Sequence, residues 1–281
     1  MPAPYAALDS AWKSLRGSCG LSVREVACVG SPRTLLAAEL TGPAGAPTVA
    51  LSAGVHGDEP AGAWALHAIV RDGLLDRRCS YRIWPCTNPT GYALFTRENA
   101  EGDDINRSFN RGGRTPEARA IVTANRDRTY ALTLDLHEDF EADGFYCYEP
   151  VVDGTAPFGA AIVSAMDQNG LPVQVLDDAF DLGYPQDAQY LRTLERGRAL
   201  PDPNAERTFF PGTPYSLYML RRATKRALTF ETPRKRPWDE RLAMHRTAVV
   251  VAIERLLALR EAPTLGAEAA GMGTDKIPPN R

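Results

Sequence analysis

The sequence predicts an α/β fold in which a mixed, mostly parallel central sheet is flanked by helices within one domain. Short apolar runs at Thr48 to Ala53, Ala131 to His137 and Ala227 to Glu231 have the near-continuous hydrophobicity of strands buried on both faces. Helical periodicities alternate with these runs, at Glu59 to Arg71, from Thr115 onward, at Ala156 to Asn169 and at Asp239 to Leu259. No internal repeat and no domain-sized linker interrupts the alternation.

Taken in order, Tyr5 to Arg16 carries Leu8, Trp12 and Leu15 at helical spacing, and Ser22 to Val29 with Thr34 to Leu40 reads as an edge hairpin around a Gly-Ser-Pro turn. The strand from Thr48 ends at Gly54. The helix from Glu59 has Pro60 in its first turn, where a missing N–H costs nothing. Tyr81 to Cys86 is the next strand, and Asn88 to Gly113 is a polar, turn-rich connection of a length that is usually functional. Thr115 opens a helix with Pro116 at its first position and Glu117 in its first turn.

After the strand from Ala131, Gly144 to Tyr148 is expected as its partner. Beyond the helix at Ala156 to Asn169, a weaker helical signal lies at Asp187 to Arg198, in a Pro-, Asp- and Gly-rich region (Leu171 to Thr213) expected to be long loops. Ala227 to Glu231 is the last strand, and Asp239 to Leu259 a closing helix with Asp239 as its N-cap. The chain divides into residues 1–47, an N-terminal helix and strands of the same domain, residues 48–261, the catalytic domain, and residues 262–281, a small, Gly- and Pro-rich tail expected to be disordered.

Composition narrows the function classes. A chain of 281 residues can bury roughly three-quarters of its unfolded surface, enough for an enzyme core. Hydrophobic residues make up 44% and charged residues 24%, and 32 basic against 35 acidic residues leave −3, so nothing points to nucleic acid. Neither a basic-then-apolar leader nor an eighteen-residue apolar run is found, and a cytoplasmic location away from membranes is expected. The five cysteines form no CxxC pair and are expected to be buried free thiols.

The chemistry gathers where strands end. Gly-Val-His-Gly-Asp-Glu-Pro places His56 and Glu59 three residues apart in the turn entering a helix, beyond a strand's carboxyl end, where ligands of open α/β sheets collect. Catalytic zinc takes three nitrogen or carboxylate ligands and leaves one position open. His137, ending the run Leu-Asp-Leu-His, is the best third ligand of the four histidines, since His67 and His245 fall inside helical patterns. A zinc-activated water also needs a base, and Glu231 in Thr-Phe-Glu-Thr-Pro is the candidate, ahead of Glu138 and Glu98. In the polar connection, Arg97 can serve as an oxyanion donor, and Asn106 with Arg107 can hold a substrate carboxylate.

These segments, in this chain order and over most of residues 48 to 235, resemble the zinc carboxypeptidase family, including its succinylglutamate desuccinylase/aspartoacylase branch: His-x-x-Glu, Asn-Pro-Thr-Gly, Arg97, Asp104-Ile-Asn-Arg-Ser-Phe, Asp-Leu-His137 and Thr-Phe-Glu231. The resemblance implies a carboxypeptidase-like mixed eight-stranded sheet, one zinc ion on His56, Glu59 and His137, Glu231 as general acid/base, Arg97 as oxyanion donor, Asn106 and Arg107 as carboxylate binders, and Asp104 as the carboxylate orienting the first metal histidine. A metallocarboxypeptidase-like hydrolase of peptide or amide bonds beside a carboxylate is the expected function. An N-acyl-amino-acid amidohydrolase and a non-catalytic binding domain on the same fold are the alternatives. The family's mobile tyrosine has four candidates, Tyr184, Tyr190, Tyr215 and Tyr218, and the acidic run after His137 departs from a purely carboxylate-binding site toward one that selects a cationic group.

Overall fold

The computed structural model describes residues 3–110, 112–150, 152, 155–177, 191–201 and 212–261. The strands are β1 (Leu21–Ala27), β2 (Thr34–Leu40), β3 (Thr48–Ala53), β4 (Ser80–Trp84), β5 (Leu132–Asp139), β6 (Tyr146–Tyr148), β7 (Leu191–Glu195), β8 (Arg198–Pro201) and β9 (Ala227–Pro233). The helices are α1 (Tyr5–Ser14), α2 (Ala61–Arg71), α3 (Pro89–Leu94), α4 (Pro116–Asn125), α5 (Gly159–Gln168), α6 (Tyr215–Arg222) and α7 (Trp238–Glu261). One mixed sheet runs β1-β2-β4-β3-β5-β9-β6-β8-β7. It thus has nine strands among the described residues, one more than the eight implied by the resemblance.

Parallel pairing is concentrated in the centre, where β4, β3, β5 and β9 lie side by side in one direction. Antiparallel pairs close both flanks, β1 on β2 and β2 on β4 at one side, β6 on β9 and β7 on β8 at the other. Because side chains alternate along a strand, the central strands serve two layers. Val49, Leu51, Ala53, Leu132, Leu134, Leu136, Leu228 and Phe230 join the core formed with α1, α2, α5 and α7. Ala50 joins Trp84, Ile121, Tyr215 and Met219 in the core under α4 and α6. By the same alternation Ser52, Asp135, His137, Thr229 and Glu231 face the α6 side.

The closing helix buries Val249, Ile253, Leu256 and Leu257, worth about 1.5–3 kcal/mol each against exposure. It begins at Trp238, so Asp239 lies in the first turn and complements the helix dipole without being the N-cap. Likewise Pro60 is the N-cap of α2, one place before the first helical residue.

Two expectations are corrected. The connection after β4 is not all loop: Pro89–Leu94 is a helical turn and a half, started by Asn88, whose side chain accepts from Gly91 N at 2.9 Å. No helix occupies the described part of Asp187 to Arg198; β7 and β8 turn there at Arg196-Gly197, with Gly197 at φ +72°, a turn that glycine makes without strain. Residues 187–190 of that prediction lie outside the described residues, as do the tail at 262–281 and the first part of the loop region's acidic centre, 178–190. The helix α6, after the predicted loops, carries a short amphipathic pattern too brief to stand out in sequence.

Candidate metal centre

At the end of β3, Gly54 takes φ +62° and turns the chain so that His56 and Glu59 stand over the sheet's carboxyl edge. Gly57 between them has no room for a side chain: a Cβ there would lie 1.9 Å from the carbonyl carbon of Gly91. The His-x-x-Glu turn therefore rests directly on the backbone of the Asn-Pro-Thr-Gly segment. Asn88 ties the two together, its amide nitrogen donating to Val55 O at 3.3 Å and to Arg97 O at 3.1 Å.

His56, Glu59 and His137 converge. Each offers a ligand atom, and these atoms all lie within 4.8 Å of one another. Glu59 faces both imidazoles with separate oxygens, Oε1 at 2.6 Å from His56 Nδ1 and Oε2 at 3.0 Å from His137 Nδ1. All three are buried, and the rings meet edge-on at 4.9 Å between centroids. Two imidazoles and a carboxylate are a catalytic zinc donor set. The residues present fit the ion.

Each imidazole has an aspartate near its other nitrogen, and for His137 a hydrogen bond there turns Nδ1 inward. His56 Nε2 lies 3.6 Å from Asp104 Oδ1, the carboxylate to which the resemblance gives an orienting role. His137 Nε2 lies 3.0 Å from Asp135 Oδ2, and Ser52 Oγ donates to Asp135 Oδ1 at 2.5 Å. The sequence reading gave Asp135 no role. Its signal was available, since residues i and i+2 of a strand share a face. Arg97 grips Asp104 Oδ2 with Nε and Nη2 at 3.2 and 3.1 Å and brings Nη1 to 3.3 Å from His56 Nδ1, within reach of the metal position.

Charge is balanced around these groups. Burial alone would raise the Glu59 carboxyl, but His56 and His137 hold it well below the usual carboxylate range. For His137, burial favours the neutral ring, yet Asp135 and Glu59 raise its pKa well above the ordinary value. Asp104 is lowered despite its own burial, by the neighbouring His56 imidazole and by Arg97 and Arg107. A ring of anions thus surrounds two imidazoles, the electrostatic setting of a cation.

A cavity of about 510 Å³ opens over the cluster, lined among others by His56, Glu59, Arg97, Asn106, Arg107, His137, Tyr146, Tyr148 and Glu231. Glu231 is opposite His137 in the β5–β9 register and opposite Tyr146 in the β9–β6 register, so the three form one row across the sheet. Burial pushes its carboxyl well above the usual range; His137 opposes this, and Glu59, Asp139 and Asp135 add to it. Asn106 Oδ1 accepts from Tyr215 N at 2.9 Å, which leaves its amide NH₂ for the cavity beside Arg107. Gly212 lets Arg107 sit there, since a Cβ at that position would lie 1.8 Å from Arg107 O.

The rival candidates are placed elsewhere. His67 sits between Trp12 and Trp64, and His245 is buried with Nε2 3.0 Å from Thr232 Oγ1. Glu138 reaches the cavity wall, but its carboxylate is spent: Oε2 accepts from Ala61 N at 2.7 Å and Oε1 pairs with Arg241 at 2.5 Å. Glu98 is not among the residues lining the cavity. Tyr215 is buried against Phe109 and Tyr218 stacks on the same ring, so neither tyrosine lines the cavity; Tyr184 and Tyr190 lie outside the described residues. Among the described residues, the tyrosines that line it are Tyr146, which donates to Asp139 Oδ2 at 2.9 Å, and Tyr148. Of the five unpaired cysteines four are buried and Cys19 is exposed, against the expectation that all are buried; it lies in the tight turn at Ser18–Gly20.

Comparison with known proteins agrees with this geometry. Residues 45–257 match the succinylglutamate desuccinylase/aspartoacylase catalytic domain. Carboxypeptidase SOL1 of Arabidopsis thaliana is 30% identical over 41% of this chain and 30% of its own length, so the chain spans less than a third of that relative. A proposed metallopeptidase from Shewanella amazonensis shares the fold with a TM-score of 0.69 at 23% identity, over 89% of this chain and 92% of that one. A metallo-carboxypeptidase from Pseudomonas aeruginosa, solved with (2-guanidinoethylmercapto)succinic acid, gives 0.63 at 15% identity, over 92% and 70%.

Proposed function

The chain belongs to the succinylglutamate desuccinylase/aspartoacylase catalytic-domain family, and we propose that it is a metal-dependent hydrolase, a zinc enzyme of the carboxypeptidase type that cleaves a peptide or amide bond beside a carboxylate. The observation that carries this is the placement of Glu231 next to the His56/Glu59/His137 cluster, in one cavity with Asn106 and Arg107.

In this reading His56, Glu59 and His137 hold the ion. Zinc held there would polarise the scissile carbonyl and would lower the pKa of a bound water to about 7. Glu231 takes the water's proton and returns it to the leaving amine, which departs neutral. Arg97 donates N–H to the oxygen on which charge develops, an arrangement whose loss typically costs 10²–10³ in kcat. Asn106 and Arg107 anchor the substrate carboxylate, the guanidinium by its planar fork. The five unpaired thiols support a reducing, cytoplasmic setting, and among the described residues no helix is long and apolar enough to cross a membrane.

The family match itself favours a second reading, an N-acyl-amino-acid amidohydrolase, in which the acyl group replaces the peptide's amino-terminal part. A panel of dipeptides, cell-wall peptides and N-acyl amino acids, assayed with zinc and with chelator, decides between them. Chelator-sensitive release of a free amino acid from one class supports the corresponding reading. A zinc-loaded chain inert toward every class contradicts both.

A further inference from the structure

Arg97 and Asp104 address His56 from the two ends of one loop, and their side chains meet across it. The Arg97 side chain is 42% exposed, so its aim depends on what holds the loop. Asn99 closes that loop from inside. Its N–H donates to Asp103 O at 3.0 Å and its carbonyl accepts from Gly102 N at 3.0 Å. Its side-chain Oδ1 accepts twice more, from Glu101 N at 3.1 Å and from Asp103 N at 2.9 Å. The ends are pinned as well, Arg97 O by the Asn88 amide and Asp104 O by Ser108 Oγ at 2.9 Å.

Asn99 is itself buried, and because Oδ1 faces two backbone donors, its remaining group Nδ2 is the one turned to Glu117, reaching Oε2 at 3.5 Å. Glu117 is fully buried in the first turn of α4, where the helix dipole favours a carboxylate. Its other oxygen accepts from Arg33 Nη1 at 2.8 Å, and Arg33 also pairs with Glu101 of the same loop. Buried ion pairs are on balance weak stabilisers, and their best-attested use is to fix one arrangement of the groups they hold. Here the group held is the loop between Arg97 and Asp104.

We infer that Asn99 and Glu117, backed by Arg33, are positioning residues that set Arg97 and Asp104 against the metal position. The inference rests on the reading above, in which Arg97 steadies the oxyanion and Asp104 orients His56. None of Asn99, Glu117 and Arg33 lines the cavity, so their effect on turnover passes through the loop. Asn106 and Arg107 follow Asp104 in the short helical turn Ile105–Arg107, outside the ring that Asn99 closes, so carboxylate binding is left in place.

Exchanging the two groups tests this. Glu117→Gln sets an amide donor against either Asn99 Nδ2 or Arg33, and Asn99→Asp sets two carboxylates face to face. The double variant Asn99→Asp/Glu117→Gln restores each bond with the donor on the opposite side. Each single variant is expected to lower kcat about tenfold with KM within about twofold, and to weaken zinc binding about tenfold in chelator competition, through Asp104 and His56. The double variant is expected to bring both back to within about threefold of the parent, and Glu117→Gln is expected to lower kcat no further once Arg97→Ala is present. Circular dichroism identifies the folded variants; Arg33→Lys, which keeps the charge and gives up the planar fork, stands in for a single variant that does not fold, with both losses about threefold. A folded single variant with the kcat and zinc affinity of the parent overturns the proposal, even where its melting temperature falls, since that marks a structural role alone. So does a double variant no better than the singles, or a full further loss beside Arg97→Ala. The functional reading fails separately, by absence of zinc-dependent hydrolysis in the unaltered chain, and zinc affinity is still measurable in that case.

Discussion

His137 and Glu231 stand directly opposite one another on adjacent parallel strands, with their side chains on the same face of the sheet. Neighbouring strands are about 4.8 Å apart, so the pairing holds the His137 imidazole and the Glu231 carboxylate side by side on the sheet rather than on loops. On the next strand Tyr146 completes the row. One step below runs a second row, Ser52, Asp135, Thr229 and Tyr148, paired in turn across four adjacent strands.

Substitution should separate chemistry from binding. Glu231→Gln is expected to lower kcat by 10²- to 10⁴-fold at unchanged zinc content, as loss of a general acid/base does. Arg107→Ala should instead raise KM, because the carboxylate contact is made in ground and transition states alike. Steady-state kinetics with metal analysis on both variants checks the split, and a Glu231→Gln enzyme of full kcat contradicts the assigned role.

Asp135 is hydrogen-bonded to His137 and is not among the residues lining the cavity, which makes it a positioning residue in the proposed mechanism. Asp135→Asn keeps the shape but weakens the acceptor for the His137 Nε2–H, and zinc affinity is expected to fall 10- to 100-fold. Ser52→Ala, one bond further out, should cost less. Competition with a chromophoric chelator measures both, and unaltered affinity in Asp135→Asn refutes the positioning role.

Stability should fall in mild acid through His245. Burial, with His137 and Arg241 adding, holds its pKa down to about 3, against about 6.5 when unfolded. Below pH 6.5 the unfolded chain therefore binds a proton that the folded chain refuses. Folding free energy drops as pH falls from about 6.5 toward 3, by up to about 1.4 kcal/mol per pH unit from this group. Urea unfolding at pH 7.5, 6 and 5 should show a shallower pH slope in His245→Gln than in the parent; equal slopes exclude His245 as the cause.

The order of elements and the metal cluster were legible because both are written locally. Apolar runs ending in His or Glu name a buried strand and what it delivers to the edge. His56 and Glu59 share one turn, and His137 and Glu231 each end a run of this kind. What stayed hidden depended on register or on packing. Asp135 shares a face with His137 by strand alternation alone, but its partner Ser52, 83 residues away, is placed beside it only by the register. Tyr215 has the right chain position for a cavity tyrosine, yet its ring fills the core under α6, while Tyr146 is delivered by a short strand whose partner is 85 residues away in sequence, at Glu231. The hairpin of β7 and β8 carries no periodicity strong enough to oppose a helical reading.

The claim on which the rest depends is that two imidazoles and one carboxylate bind a single zinc ion here. Diffraction from zinc-loaded crystals at the zinc absorption edge tests it directly. The account predicts one anomalous peak per chain, about 2.0–2.2 Å from His56 Nδ1, His137 Nδ1 and a Glu59 oxygen. No peak among these three side chains, or a zinc ion bound through other residues, contradicts it.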